Sequence, residues 1–194
     1  MKNASLWDAE FKSGKLGFLR RPSELRRLVE IGAMLARAAQ QHGPVEVVDI
    51  GSGEGLLLGQ LRTQGVQRYI ALDISGVALK AIRDGMVPVA RVRSSLAAWD
   101  GRPEPVAPRI MVASEMLYYD PGGVMQLRKL AARWPRTVEV IVSCVAGRSD
   151  KPNWAAASTA LWRDMRATGW RRLEMVQVAD KQAGLAWDIA RYVV

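Results

Sequence analysis

The stretch Val45-Glu46-Val47-Val48-Asp49-Ile50-Gly51-Ser52-Gly53-Glu54-Gly55 decides how this chain folds. Its first six residues are mostly β-branched and apolar, which predicts a buried strand. Three glycines at alternate positions then break the strand into a tight turn, and a helix is expected from about Glu54 to Arg62. Gly51 and Gly53 let the backbone turn and approach a ligand closely, while Gly55 lets the next helix pack near the strand. A strand, a glycine turn and a helix in series place a ligand at the carboxyl edge of a parallel sheet. The spacing is G-x-G-x-G and not the G-x-G-x-x-G that cradles a pyrophosphate. Asp49 sets a negative charge beside the turn, which suits a ligand carrying positive charge better than a diphosphate.

Working outward, strands are predicted at Arg68–Asp73, Pro88–Val92, Arg109–Ser114 and Thr137–Ser143. Helices are expected between them: one capped by Ser75 and ending near Asp84-Gly85, one over Val124–Trp134 ended by Pro135, and one over Ala156–Thr168 ended by Gly169. Upstream, residues 23–41 carry apolar residues at helical spacing, with Ser23 as a cap and Gly43-Pro44 as a breaker. The last two strands, Trp170–Val178 and Leu185–Val194, follow one another with no helix between them, so they form a hairpin. The fold class is therefore α/β: a single Rossmann-like domain whose seven-stranded, mostly parallel sheet ends in a C-terminal antiparallel β-hairpin. Residues 1–40 form an N-terminal lid segment and helix, and residues 41–194 the core.

Composition excludes several function classes. The 194 residues are 49% hydrophobic and 24% charged, which suits one globular domain. No apolar run is long enough to span a membrane. The opening residues Met1–Asp8 lack the apolar core of a signal peptide, so the cytoplasm is the expected location. Cys144 is the only cysteine, which rules out an internal disulfide or a thiolate metal cluster. It is expected as a buried small hydrophobe at the end of the fifth strand. His42, the only histidine, is expected in a solvated loop, so neither a Ser-His-Asp hydrolase nor a zinc site is predicted. The net charge is +9, from 28 basic and 19 acidic residues. Such a surface attracts nucleic acid, anionic headgroups or phosphorylated metabolites. The arginines are spread along the whole chain, so a scatter over solvated faces is preferred to a dedicated nucleic-acid face.

The run Val47–Leu56 resembles the first motif of class I methyltransferases that use S-adenosyl-L-methionine (SAM), and Tyr69–Ser75 resembles their second. Val112-Ala113-Ser114-Glu115-Met116-Leu117-Tyr118-Tyr119 resembles the fourth-strand motif of the nodulation-type, NodS-like small-molecule methyltransferases. The resemblance covers residues 40–145 well and the flanks only in pattern. It implies SAM as the cofactor, S-adenosyl-L-homocysteine (SAH) as the product, and a role in cofactor binding for Asp49, Gly51, Ser52, Gly53, Gly55 and Ser114. Asp73 would accept both ribose hydroxyls, and Ile74 and Leu96 either sandwich the adenine or belong to the core. Many family members carry an acid after the third strand; here the stretch reads Arg91-Val92-Arg93-Ser94-Ser95-Leu96, so Ser95 or a backbone group must serve the adenine.

The resemblance places the transferring methyl near Ser114–Tyr119. Glu115 is either a general base or ammonium anchor, or a carboxylate that orients the loop or cofactor. Tyr118 and Tyr119, the other catalytic candidates, shape the acceptor pocket, orient the nucleophile by hydrogen bonding, or pack beneath the next helix. The stretch Leu6–Leu19, with its aromatics and glycines and no long periodic helix, is read either as a lid or as a disordered or simply packed terminus. In the loop Ala146–Trp154, Arg148 and Lys151 are candidates to read an anionic acceptor. No Mg²⁺ ligand set is present. The expected partner is a small-molecule acceptor, with N- or O-methylation of an amino sugar or sugar-containing metabolite implied by the NodS-like motif. The alternatives are an RNA or protein methyltransferase and a catalytically silent SAM-binding subunit.

Overall fold

Strand β1 (Val45–Ile50) is buried along its whole length because it sits near the middle of a seven-stranded sheet and is covered on both faces. The computed structural model describes residues 3–61, 65–101, 104–120, 122–134, 136–148 and 153–194. The other strands are β2 (Val66–Asp73), β3 (Val89–Arg93), β4 (Arg109–Ser114), β5 (Thr137–Arg148), β6 (Arg171–Asp180) and β7 (Leu185–Val193). Their order across the sheet is β3-β2-β1-β4-β5-β7-β6. All pairings are parallel except those of β7, which runs antiparallel to both β5 and β6. The chain moves outward from β1 to β3 and then returns to β4 on the other side of β1. That reversal opens a crevice at the carboxyl ends of β1 and β4, the place where such sheets bind ligands.

The helices are α1 (Ala4–Lys12), α2 (Pro22–His42), α3 (Gly76–Ala81), α4 (Gly123–Arg133) and α5 (Asn153–Arg166). Alternation along β1 sorts the core into two layers. Val48 and Ile50 face Leu127, Leu130 and Trp134 of the α4 side together with Leu161 and Met165 of α5. Val45 and Val47 face Ile31, Met34 and Leu35 of α2 and Leu79 of α3. Ser75 caps α3 as its sequence predicts, accepting from the Ala78 amide at 3.1 Å.

Several local expectations are corrected. The helix expected over residues 54–62 is a set of turns with one short 3₁₀ segment at Leu58–Gln60; Arg62 itself lies outside the described residues. Gly53 and Gly55 adopt φ of +54° and +73°, which no α-helix accommodates, and the few residues left are too short to nucleate one. Helix α2 starts at Pro22 with Arg21 as its N-cap, so Ser23 is inside the helix and not its cap. The N-terminal stretch does contain a helix, α1, whose first turn is capped by Asn3 Oδ1 accepting from the Leu6 amide at 3.0 Å. A 3₁₀ segment, Lys15–Arg20, follows it.

Strand β5 continues to Arg148 because β7 pairs along it, so Cys144 lies buried within the strand and not at its end. His42 is the last residue of α2 and meets the buried Glu139 carboxylate at 2.8 Å, so it is not a solvated loop histidine. The arginines are not all on solvated faces either: Arg27, Arg109 and Arg191 are buried. Arg109 and Arg68 share the Glu46 carboxylate, and Arg109 lies over the Trp134 ring. Among the described residues no helix is long and apolar enough to cross a membrane.

Candidate functional site

The crevice at the carboxyl ends of β1, β2 and β4 holds a cavity of about 510 Å³, within the range of small-ligand sites. The glycine turn forms its floor. The Gly51 and Ser52 amides both donate to the Leu72 carbonyl, at 2.8 and 3.1 Å, which ties the turn to the end of β2. Gly51 has φ +71°, and a Cβ there would lie 2.8 Å from Met116 Cβ, so the end of β4 can approach only because no side chain intervenes.

Asp73 is fixed by two backbone donors. The Gly53 amide reaches one carboxylate oxygen at 2.8 Å and the Ser75 amide the other at 2.7 Å. Burial raises its pKa in spite of these donors. Asp49 is buried, and burial pushes its pKa up to about 7, with the Tyr69 hydroxyl donating to it in opposition. Beside them Arg27 is only 5% exposed, yet its Nε has no hydrogen-bond partner among the described residues. Its Nη1 donates to the Glu24 carbonyl at 3.1 Å. The Ser52 hydroxyl is a second orphaned buried atom on the cavity lining.

At the end of β4 the backbone turns sharply. Glu115 has φ +59°, a left-handed conformation unusual for a residue with a side chain. Its amide donates to the Ser143 carbonyl of β5 at 3.2 Å. Its carboxylate accepts from the Ser143 hydroxyl (3.1 Å), the Val145 amide (3.1 Å) and the Tyr118 hydroxyl (2.9 Å). Burial raises the Glu115 pKa, opposed first by the charge of Arg27 and then by these donors. Burial and the neighbouring carboxylate together push the Tyr118 phenol well above its ordinary value, so it stays a donor.

The cavity brings together nearly all the residues singled out from sequence: Asp49, Gly51, Ser52, Gly53, Asp73, Ile74, Ser95, Leu96, Ser114, Glu115, Tyr118 and Tyr119 all line it. Gly55 does not; it packs against Ile82, where a Cβ would lie 3.1 Å from two side-chain carbons. Two of the residues have further ties. Ser95 Oγ accepts from the Ala98 amide at 3.2 Å, and Ser114 Oγ lies 3.0 Å from Ser143 Oγ. Of the loop after β5, Lys151 lies outside the described residues, and only the backbone of Arg148 is described.

Sequence reasoning missed Arg27 and Glu24, which come from α2. Trp7 of α1 and Trp154 of the first turn of α5 line the cavity from the two segments read as a lid and as an acceptor-side loop. Trp7, Glu10 and Phe11 share one helical face and form a wall of the cavity, with Phe11 lying against Gly53. Asp8 anchors this wall: its carboxylate accepts from the Ser75 hydroxyl at 2.6 Å and the Val77 amide at 3.1 Å. Those contacts, the hydroxyl first, hold its pKa below the ordinary value. Among the described residues the lining contains seven carboxylates, Glu10, Glu24, Asp49, Glu54, Asp73, Glu115 and Asp120, against two cations, Lys15 and Arg27. A strongly basic chain thus surrounds an acidic cavity.

No protein-family model and no curated protein sequence matches the chain. Solved structures do. The N-methyltransferase NodS from Bradyrhizobium japonicum WM9, in complex with SAH, superimposes with a TM-score of 0.71 at 13% identity, over 98% of this chain and 97% of that one. Magnesium protoporphyrin IX methyltransferase ChlM from Synechocystis PCC 6803, with bound SAH, gives 0.73 at 12% identity, over 98% and 97%. The [4+2]-cyclase SpnF gives 0.64 at 12% identity, over 85% and 80%. The chain therefore has the Rossmann-like fold of these proteins. One of the three is a cyclase, so the fold by itself does not fix a reaction.

Proposed function

We propose that this chain is a SAM-dependent methyltransferase that modifies a nitrogen or oxygen of a small molecule. The observation that carries the reading is that one acidic cavity joins the glycine turn, Asp73 and Arg27, whose Nε has no partner among the described residues, to the turn of Glu115 and Tyr118. SAM carries a sulfonium, an amino group, a carboxylate and a ribose diol, and the residues present match each. Asp73 keeps lone pairs beyond its two backbone donors for the ribose hydroxyls. Asp49 and the carboxylate-rich lining favour the positive groups, and Arg27 Nε would meet the carboxylate. Leu96 and Ile74 would flank the adenine, with Ser94 and Ser95 supplying polar groups at its edge.

When bound, SAM supplies a methyl group made electrophilic by its positively charged sulfur. The chain's part in such a reaction is chiefly alignment of the acceptor with that methyl. Glu115 suits this role: Ser143, Val145 and Tyr118 hold its carboxylate, so the Tyr118 hydroxyl is fixed in turn. We read Glu115 as the charge that orients the acceptor's N–H or O–H. An amino sugar or sugar-containing metabolite is the acceptor favoured by the NodS-like sequence Ser114–Tyr119. The acidic lining argues against a polyphosphate chain such as RNA entering the cavity, in spite of the net charge of +9.

Calorimetry tests the reading. SAM and SAH are expected to bind, with no comparable binding of NAD; a preference for NAD would refute it. Binding of SAM without methyl transfer to any amine or hydroxyl acceptor would instead support a silent cofactor-binding subunit.

A further inference from the structure

Four aromatic rings from three separate parts of the chain meet on one wall of the cavity. Trp7 of α1 meets Tyr119 edge-on at 5.4 Å between ring centroids. Tyr119 lies 4.6 Å from Tyr118, and Trp154 of α5 stands edge-on to Tyr118 at 5.0 Å and to Tyr119 at 6.1 Å. All four line the cavity, beside Glu115 and Asp120. These residues do not form part of either core layer, apart from Tyr118, which packs at its margin. Among the described residues, neither lining cation comes from these segments: Lys15 pairs with Glu10 at 2.7 Å, and Arg27 belongs to α2.

Ring faces carry negative quadrupole density and attract cations, and the attraction grows when water is excluded. A wall of rings bordered by carboxylates therefore selects positive charge on an apolar body. We infer that this wall is the acceptor subsite and that the acceptor is an organic amine, an assignment that rests on the methyltransferase reading above. Methylation suits such a site. The amine lone pair forms the new C–N bond as the C–S bond breaks, and the breaking pair stays on sulfur. The positive charge passes from sulfur to nitrogen, toward the rings, and any N–H proton then leaves to water. The wall thus gains its attraction as the charge arrives. A carboxylated or phosphorylated acceptor would meet the same carboxylates as repulsion.

The test separates this assignment from the reading beneath it. Wild-type protein saturated with SAH is titrated with choline, with its neutral isostere 3,3-dimethylbutan-1-ol and with the anion 3,3-dimethylbutyrate, and binding is followed by tryptophan fluorescence and ring-proton shifts. Choline is expected to bind about 3- to 30-fold tighter than the neutral isostere, the range that cation–ring attraction provides. Trp154→Leu and Tyr119→Leu are expected to lose that preference while still binding SAH, and Trp154→Phe to keep most of it. Equal binding of choline and the alcohol, or tighter binding of the anion, overturns the amine assignment and leaves SAM binding standing. Failure of the wild type to bind SAH overturns both.

Discussion

Replacing Arg27 with methionine separates ligand binding from stability. Arg27 is 5% exposed, and its Nε is an orphan among the described residues. A buried cation with an unmade hydrogen bond is expensive in the empty protein, which offsets the help that its charge gives to the buried carboxylates of Asp49 and Glu115, and a methionine of similar length fills the same space. The empty variant should therefore unfold close to the temperature of wild type. With SAM a difference appears. A charge-assisted hydrogen bond to the carboxylate is worth about 1.5–3 kcal/mol, so Arg27→Met should weaken SAM about 10- to 150-fold. Decarboxylated SAM, which lacks that carboxylate, should lose almost nothing. Calorimetry of both ligands against both proteins gives a cycle in which the coupling belongs to one contact. Equal losses for the two ligands would refute the contact and reassign Arg27 to holding Asp49 and Glu115. A large fall in the unfolding temperature of the empty variant would refute the argument that the guanidinium is unsatisfied.

Three further outcomes follow from the site. Asp49, with a pKa raised to about 7, is neutral in the empty protein at mildly acid pH and ionised above it. Its raised value contributes stability that is full below the ordinary carboxylate range and lost as pH rises through about 7, while SAM affinity should rise over the same interval, by at most about tenfold per pH unit; affinity flat from mildly acid to mildly alkaline pH would contradict this. Glu115→Gln should spare SAM affinity and cut single-turnover methyl transfer by about 10²–10⁴-fold; full turnover would remove Glu115 from the acceptor side. Gly51→Ala puts a methyl 2.8 Å from Met116 Cβ at φ +71°, so denaturant unfolding should show a loss of more than about 1 kcal/mol.

The strands were legible because a buried parallel strand is a local signal, as in Val45–Ile50 and Arg109–Ser114, and the predicted bounds lie within two residues of the observed ones except at the end of β5, which runs five residues past Ser143. Asp49, Asp73 and Glu115 were legible for the same reason: each lies within one residue of the carboxyl end of a strand, and strand ends converge at one edge. The turns after β1 were misread as a helix because the left-handed glycines are a tertiary demand, set by Met116 and Ile82 from distant segments. Arg27 was passed over as one of the Arg26-Arg27 pair. Yet Arg27, Ile31, Leu35 and Ala38 fall on one helical stripe, and only Arg27 of the pair faces inward. A cation on an otherwise apolar stripe is a signal that sequence alone carries. Trp7 and Trp154 fall in the two segments read as a lid and as an acceptor-side loop, but their meeting lay beyond reach, since only the folded chain brings α1 and α5 to the same wall.

The turn from Asp73 to Val77 serves two masters. Asp73 faces the cavity, while Ser75 and Val77 hold Asp8 and with it the whole of α1. The two carboxylates repel, and the charge of Asp8 helps to raise the pKa of Asp73. A cationic ligand settling beside Asp73 relieves that repulsion, so it strengthens the hold on α1 from several ångströms away. Linkage makes the effect mutual: whatever loosens α1 must weaken the ligand by the same factor. Asp8→Asn, outside the cavity lining, would then act as an affinity mutation, and hydrogen exchange along Ala4–Lys12 would report occupancy of the pocket whose wall that helix forms.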